Sequence, residues 1–400
     1  MKISKIIFLL LSFSFIQSVH AEWLAFRGSQ GNGSSKSSDP GKIELHGKNS
    51  WVTELPGRGL SSPVVVNDTV FLTASSGPNQ ETLHIIAFEQ TNGQKKWERK
   101  FKATGRTVCH QKTCVAASTI ASDGQVLIAQ FSSNDIFCLT LSGRIKWLRG
   151  LAFDNPNIAN GLGMSSSPRI ASGTAIIQVE NDADSFSFGL DMADGTTVWK
   201  KERTRGANWT SPISIRKNDR EIIGLQSKDG LTAIDPVNGK NLWAYEEGAS
   251  TIPSSTWTEE NIVLVPSNGM TALKIDKKLM SFKKIWRDNK LKPGTGSPTT
   301  SKGKLYVVNN ANVLSCASVK TGEILWRMRL QGPVSSSPVI GSHHLYIFNE
   351  TGLCQVVDLR DESPSVVHSI DLEDTILGTP AVSKDAIFIR SDKRLWKLGA

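Results

Sequence analysis

Asp194-Gly195-Thr196-Thr197-Val198-Trp199, followed twelve residues on by Ser211-Pro212-Ile213-Ser214-Ile215, is the stretch that decides the fold. A Gly-containing turn leads into a short strand carrying Trp, and a small polar residue with Pro then opens an apolar strand. The first half of this pattern recurs as Asn92-Gly93 before Trp97, Ser142-Gly143 before Trp147, Asn238-Gly239 before Trp243, and Thr321-Gly322 before Trp326. Trp51 and Trp286 keep the register with degenerate turns. Successive gaps from Trp51 to Trp326 are 46, 50, 52, 44, 43 and 40 residues, the length of a four-stranded propeller blade.

The second half recurs between the tryptophans as Ser62-Pro63, Ser167-Pro168, Ile252-Pro253, Ser297-Pro298, Ser337-Pro338 and Thr379-Pro380, with Thr119 in the equivalent place of the second repeat. That makes eight units. Within each unit the apolar period is two, so the elements are strands. One such sheet cannot bury both faces alone, whereas a ring of sheets can. The expected fold is therefore all-β, an eight-bladed β-propeller of four-stranded antiparallel blades over residues 50–400. Trp51, Trp97, Trp147, Trp199, Trp243, Trp286 and Trp326 serve as wedges that dock one blade on the next. After Arg394-Leu-Trp-Lys-Leu398 the eighth unit lacks an outer strand, and Ser50–Leu55 is an outer strand without a blade. The N-terminal strand is expected to close the ring.

The first 21 residues read as an export signal: Lys2 and Lys5, an apolar run from Ile6 to Ile16, and the small-x-small site Val19-His20-Ala21. That run is too short to span a bilayer, and no later segment is long and apolar enough to do so. A periplasmic or secreted chain, expected to be a monomer, follows, with residues 22–49 as an N-terminal extension. The cleavage point carries no Cys, so no lipid anchor is indicated. The formal charge of +9, which losing Lys2 and Lys5 lowers to +7, is scattered and gives no basic stripe for nucleic acid. Of the five cysteines, Cys109 and Cys114 share one predicted loop and suggest a local disulfide. Cys138, Cys316 and Cys354 fall on third strands and read as small buried hydrophobes.

First-to-second and third-to-fourth strand turns are tight, as at Ser172-Gly173 or at His343-His344, whose imidazoles are expected to face solvent. The long connections, read as Thr73–Thr82, Lys100–Val115, Leu148–Met164, Glu180–Ser185 and Glu202–Trp209, gather on the opposite face in the first four units. Function is expected there.

The Gly-turn-Trp and Ser-Pro strands from Trp51 to Gly399 resemble the PQQ-like repeat family, which holds quinoprotein dehydrogenases and the propeller of the BamB outer-membrane assembly lipoprotein. The opening Trp23-Leu-Ala-Phe-Arg-Gly28 resembles that of exported, non-enzymatic bacterial branches of this family. A working quinoprotein implies adjacent cysteines over the quinone, a Trp floor, and Glu, Asn and Asp around calcium. Here four residues separate Cys109 from Cys114, and Trp209 is the one floor candidate. Asn181-Asp182-Ala183-Asp184 is the densest set of oxygen ligands, but it lacks the Gly and distal Glu of a calcium loop. Cys109, His110 and Cys114 offer three irregularly spaced donors where structural zinc takes four, so no metal is expected.

The sequence therefore reads as a binding or scaffold propeller for a protein partner or extended ligand at the long-loop face. Its candidate ligand-binding residues are Asp182, Asp184, Arg205, Trp209 and His110, with no catalytic residue and no cofactor expected. Two alternatives stand beside it: a PQQ- and calcium-dependent oxidoreductase with a nonstandard site around Asp182, Arg205 and Trp209, and an outer-membrane assembly factor similar to BamB.

Overall fold

A computed structural model describes residues 21–35, 39–158 and 161–399; the export signal read at 1–21 lies outside them except for its last residue. The described residues form eight antiparallel sheets in a ring, with one short helix, Leu151–Asp154. Each blade runs from the channel outward. Blade three, for example, is Arg169–Ala171, Thr174–Val179, Phe186–Asp191 and Thr197–Glu202. Middle strands are apolar on both faces because each is covered by a neighbouring blade, and Trp-bearing outer strands alternate because one edge meets water.

The ring closes as the sequence implied. Trp51–Glu54 completes blade eight by pairing Trp51 with Lys397, Val52 with Trp396, Thr53 with Leu395 and Glu54 with Arg394. The Gly and Trp of the repeat serve different partners. Trp97 of blade one donates its indole N–H to the Leu141 carbonyl of blade two at 3.0 Å, and its ring lies so close to Gly143 that a Cβ there would sit 2.7 Å from it. Trp51 on Gly93, Trp147 on Gly195, Trp199 on Gly239 and Trp286 on Gly322 repeat this stacking. The glycine thus receives the preceding blade's tryptophan, at a positive φ that glycine alone adopts without strain.

Blade seven has His368 where the others have Trp. Its Nε2 faces the Ile43 carbonyl at 2.7 Å, and Ile43 is fully buried in the core between blades seven, eight and one. The N-terminal extension thus repairs a seam that lacks its wedge. Upstream, the same segment is a strap across the tight-turn end of the channel. Ala21–Trp23 pairs with Val64–Val66 of blade one, the Ser122 N–H of blade two donates to the Leu24 carbonyl at 2.8 Å, and the Thr300 N–H of blade six to the Asn32 carbonyl at 3.0 Å. Trp23 is fully buried against Gly28, where φ is +82° and a Cβ would meet the indole at 3.2 Å.

Four readings are corrected by these contacts. His344 does not face solvent: its Nδ1 lies 2.7 Å from Asp39 Oδ1, while Asp39 Oδ2 accepts the His343 and His344 backbone N–H groups at 2.8 and 3.0 Å, fastening the strap to blade seven. Cys109 and Cys114 are free thiols; Cys109 accepts from Gln80 Nε2 at 3.4 Å, whereas Cys114 is buried in the core between blades one and two. The turn His110–Thr113, with the Thr113 N–H donating to the His110 carbonyl at 2.8 Å, separates their surroundings. Only two blade-to-blade connections are long, 103–120 and 151–168. The segment 203–212 is no longer than 246–255 or 289–298 in the second half of the ring. In blade five the repeat is carried by Ser254, two residues beyond Ile252.

Candidate functional site: the central funnel and its rim

The residues that open the inner strands form a ring at the channel. The Ser62 N–H donates to Thr119 Oγ1 at 2.9 Å, Thr119 to Ser167 Oγ at 3.0 Å, Ser167 to Ser211 at 2.9 Å and Ser211 to Ser254 at 3.0 Å. Ser254 then donates to Ser297 at 2.9 Å, Ser297 to Ser337 at 3.0 Å, and Ser337 to Thr379 Oγ1 at 3.0 Å. Seven blades thus have this backbone N–H satisfied by a neighbour's hydroxyl, and all eight positions carry Ser or Thr. At the seam between blades eight and one Ser62 Oγ is buried without a partner, and the guanidinium of fully buried Arg390 reaches across from blade eight to the Thr73 carbonyl of blade one at 2.6 Å.

Two residues earlier in each repeat, one step nearer the long-loop face, lies a rim of Leu60, Ala117, Ser165, Trp209, Ile252, Thr295, Ser335 and Leu377. No rule of composition unites it. The rim and seven residues of the hydroxyl ring, all but Ser62, line a funnel of about 560 Å³, with His110, Lys112, Thr113 and Leu162 contributed by the two long connections and Phe26 by the strap at the tight-turn end. That volume falls within the range of ligand pockets, which also carry few polar groups among apolar walls.

Two guanidinium groups are buried beneath the floor that Phe26 forms. Arg27 is fully buried at a φ of +61°, and its guanidinium donates to the Ser255 carbonyl at 3.1 Å and to the Pro298 carbonyl, each one residue below the ring. Arg169 of blade three donates to the Gly28 and Ser29 carbonyls. Burial, then the charge of Arg169, pulls Arg27 down to about 9, and burial pulls Arg169 down to about 10, so both stay charged at neutral pH. Above, Lys112 bridges the mouth to Glu350 of blade seven, 2.9 Å from both carboxylate oxygens.

Of the candidate residues, His110 and Trp209 meet at this funnel. Trp209 belongs to the rim and not to a floor, its indole N–H held by the Gly163 carbonyl at 2.9 Å; Phe26 occupies the floor. Asp182, Asp184 and Arg205 lie outside the lining. Arg205 pairs with Asp184 at 3.0 Å, and Asp182 accepts the Ala207 N–H at 3.2 Å, so these groups tie loop 180–185 to loop 203–208. Beneath them is a buried pair that the sequence reading passed over. Arg203 Nε lies 2.7 Å from Glu180 Oε1, whose other oxygen accepts from Asn208 Nδ2 at 2.8 Å. Burial pushes Glu180 upward despite that guanidinium. The Glu and Arg on either side of long loops were the available signal.

A calcium-held quinone does not fit these donors. The buried Glu180 carboxylate is already satisfied by Arg203 and Asn208, and the Asn208 amide oxygen already accepts from Thr210. Among the described residues the funnel lining contains no carboxylate, and no three His, Cys, Asp or Glu side chains gather to hold a metal.

A closed ring of eight four-stranded blades, locked by inter-blade tryptophans and floored by its own N-terminal strap, defines a propeller of the PQQ-like repeat class. The chain belongs to the family described as outer membrane protein assembly factor BamB, whose model matches residues 42–181, 162–267 and 281–362. It is 24% identical over 242 residues to the outer membrane protein assembly factor BamB of Legionella pneumophila (strain Paris), covering 60% of this chain and 49% of that protein. It is 25% identical over 208 residues to the protein of the same name from Burkholderia pseudomallei, covering 50% and 48%. The chain thus spans about half the length of these curated relatives. Among solved structures, BamB from Moraxella catarrhalis superposes with a TM-score of 0.64 at 14% identity, covering 88% of this chain and 98% of that one. A europium-containing methanol dehydrogenase gives 0.73 at 12% identity, covering 95% and 98%. At these identities both show the fold alone.

Proposed function

We propose that this chain is a periplasmic binding propeller of the outer-membrane assembly-factor kind, which docks a protein partner on its long-loop face. The observation that carries the reading is the inequality of the two faces. The tight-turn end of the channel is covered by the strap and has exposed Val237 and Met280 only on separate outer turns, whereas the other end opens into the funnel and bears Val108, Phe153, Leu162 and Ile252 exposed at 63%, 78%, 40% and 44%. Apolar groups exposed on long loops around an open mouth favour protein contact. The assembly-factor name of the curated relatives supports a partner at the outer membrane.

The test is binding of the purified chain to the purified outer-membrane assembly machinery of the same cell. Phe153→Asp with Ile252→Asp should weaken binding at least about tenfold, and Lys302→Glu on the tight-turn face should not. Binding indifferent to the first pair, or lost only with the second change, would overturn the proposal.

A further inference from the structure

We propose that the funnel receives the C-terminal end of a polypeptide, an apolar last residue whose free carboxylate rests on the hydroxyl ring. This rests on the protein-docking reading above and specifies which part of a partner is taken.

The funnel is blind. Phe26 closes it at the level of the strap, so a chain cannot thread through and must enter by an end or a side chain. The choice between chain ends follows from the donors and the charge around them. A hydroxyl offers one proton and two lone pairs. Each oxygen of Thr119, Ser167, Ser211, Ser254, Ser297, Ser337 and Thr379 spends one lone pair on the neighbouring blade's N–H and keeps its proton and a second lone pair, so seven O–H donors line the funnel and the surrounding charge decides between the chain ends.

That charge favours a carboxylate. Arg27 and Arg169 lie just below the ring, their guanidinium groups held by backbone carbonyls, while at the mouth Lys112 is paired with Glu350 and His110 accepts the Lys112 N–H on Nδ1. The acidic group nearest the rim, Glu350, is bound by Ser335 at 2.6 Å and neutralised by Lys112. An ammonium terminus would meet repulsion here, and a carboxylate would meet donors in a partly dry site, where charge-assisted hydrogen bonds are strong.

The walls then specify the last side chain. Leu60, Ala117, Trp209, Ile252 and Leu377 give the rim an apolar arc next to the hydroxyls. The exposed Leu162 and Ile252 continue that arc onto the outer face, where preceding residues would lie.

The probe is a fluorescein-labelled hexapeptide, Gly-Ser-Gly-Ser-Val-Leu, used with a free carboxylate and as its C-terminal amide. Anisotropy is read on the full chain. The acid should bind at least about tenfold tighter than the amide. Thr295→Glu, which places a carboxylate on the exposed rim, should erase most of that difference without changing the unfolding midpoint, and Lys302→Glu should leave it intact. Equal binding of acid and amide, or no binding of either, would overturn this inference. The docking proposal would survive that result provided Phe153→Asp with Ile252→Asp still weakened capture of the assembly machinery.

Discussion

The hydroxyl ring and the rim above it occupy successive positions of the same repeat, yet one is uniform and the other is not. At the ring every blade presents Ser or Thr, and seven of the eight hydroxyls satisfy a buried backbone N–H of a neighbouring blade; the eighth, Ser62, lies at the seam that Arg390 spans. At the rim the backbone makes no such demand, and Leu, Ala, Ser, Trp, Ile, Thr, Ser and Leu follow one another around the mouth. Uniformity in a propeller therefore marks closure, and departure from it marks the surface free to acquire a function. The motif that identifies the fold is the wrong place to look for the activity.

The largest effect should come from beneath the ring. Trp23→Ala removes a fully buried indole that braces the strap and should cost about 3–5 kcal/mol, read as a lower denaturant midpoint. If stability barely changed, the strap would be dispensable and the floor would not belong to the ring's architecture.

Ser297→Val breaks the ring itself by leaving the Ser254 N–H buried without an acceptor, and should cost about 1–3 kcal/mol. Thr295→Glu, two residues away on the rim, should stay within about 0.5 kcal/mol. Equal penalties at the two positions would dissolve the distinction between them.

Acid should unfasten the strap before the blades. Burial raises Asp39, but the His343 and His344 backbone N–H groups and the His344 ring outweigh it, so its carboxyl ends below the ordinary 3.8. A carboxylate depressed in the fold contributes stability above its unfolded value and loses it as pH falls through the folded value. The hydrogen-exchange protection factors of Ser35 and Ile340, whose N–H groups join the strap to blade seven, should therefore fall below about pH 4. Asp39→Asn should show the lowered protection already at neutral pH and flatten the acid dependence. The smallest expected effect is the response to PQQ with Ca²⁺, which should give no saturable change in absorbance, since Arg203 already satisfies Glu180.

Much of the fold could be read from the residues because Gly-turn-Trp spacing and inner-strand hydroxyls are local signals repeated around the ring. Blade five was misaligned by two residues because Pro253 was followed in place of Ser254; the ring selects the hydroxyl and has no use for the proline. The strap escaped for a different reason. Arg27 meets carbonyls more than two hundred residues away, at Ser255 and Pro298, and no period announces such contacts. Trp209 and His110, singled out as ligand-binding candidates, both line the funnel. Asp182 and Asp184 were chosen as the densest oxygen ligands and Arg205 as a guanidinium for an anionic ligand; Arg205 pairs with Asp184, and Asp182 accepts the Ala207 N–H.

The central claim is that partners meet the irregular rim and not the strapped end. Site-specific photocrosslinkers placed at Thr295 and Ile252 on the rim, and at Lys302 on the tight-turn face, test it in intact cells. A discrete protein adduct is expected from the two rim positions and none from Lys302; adducts confined to Lys302 would put the partner on the strapped end instead.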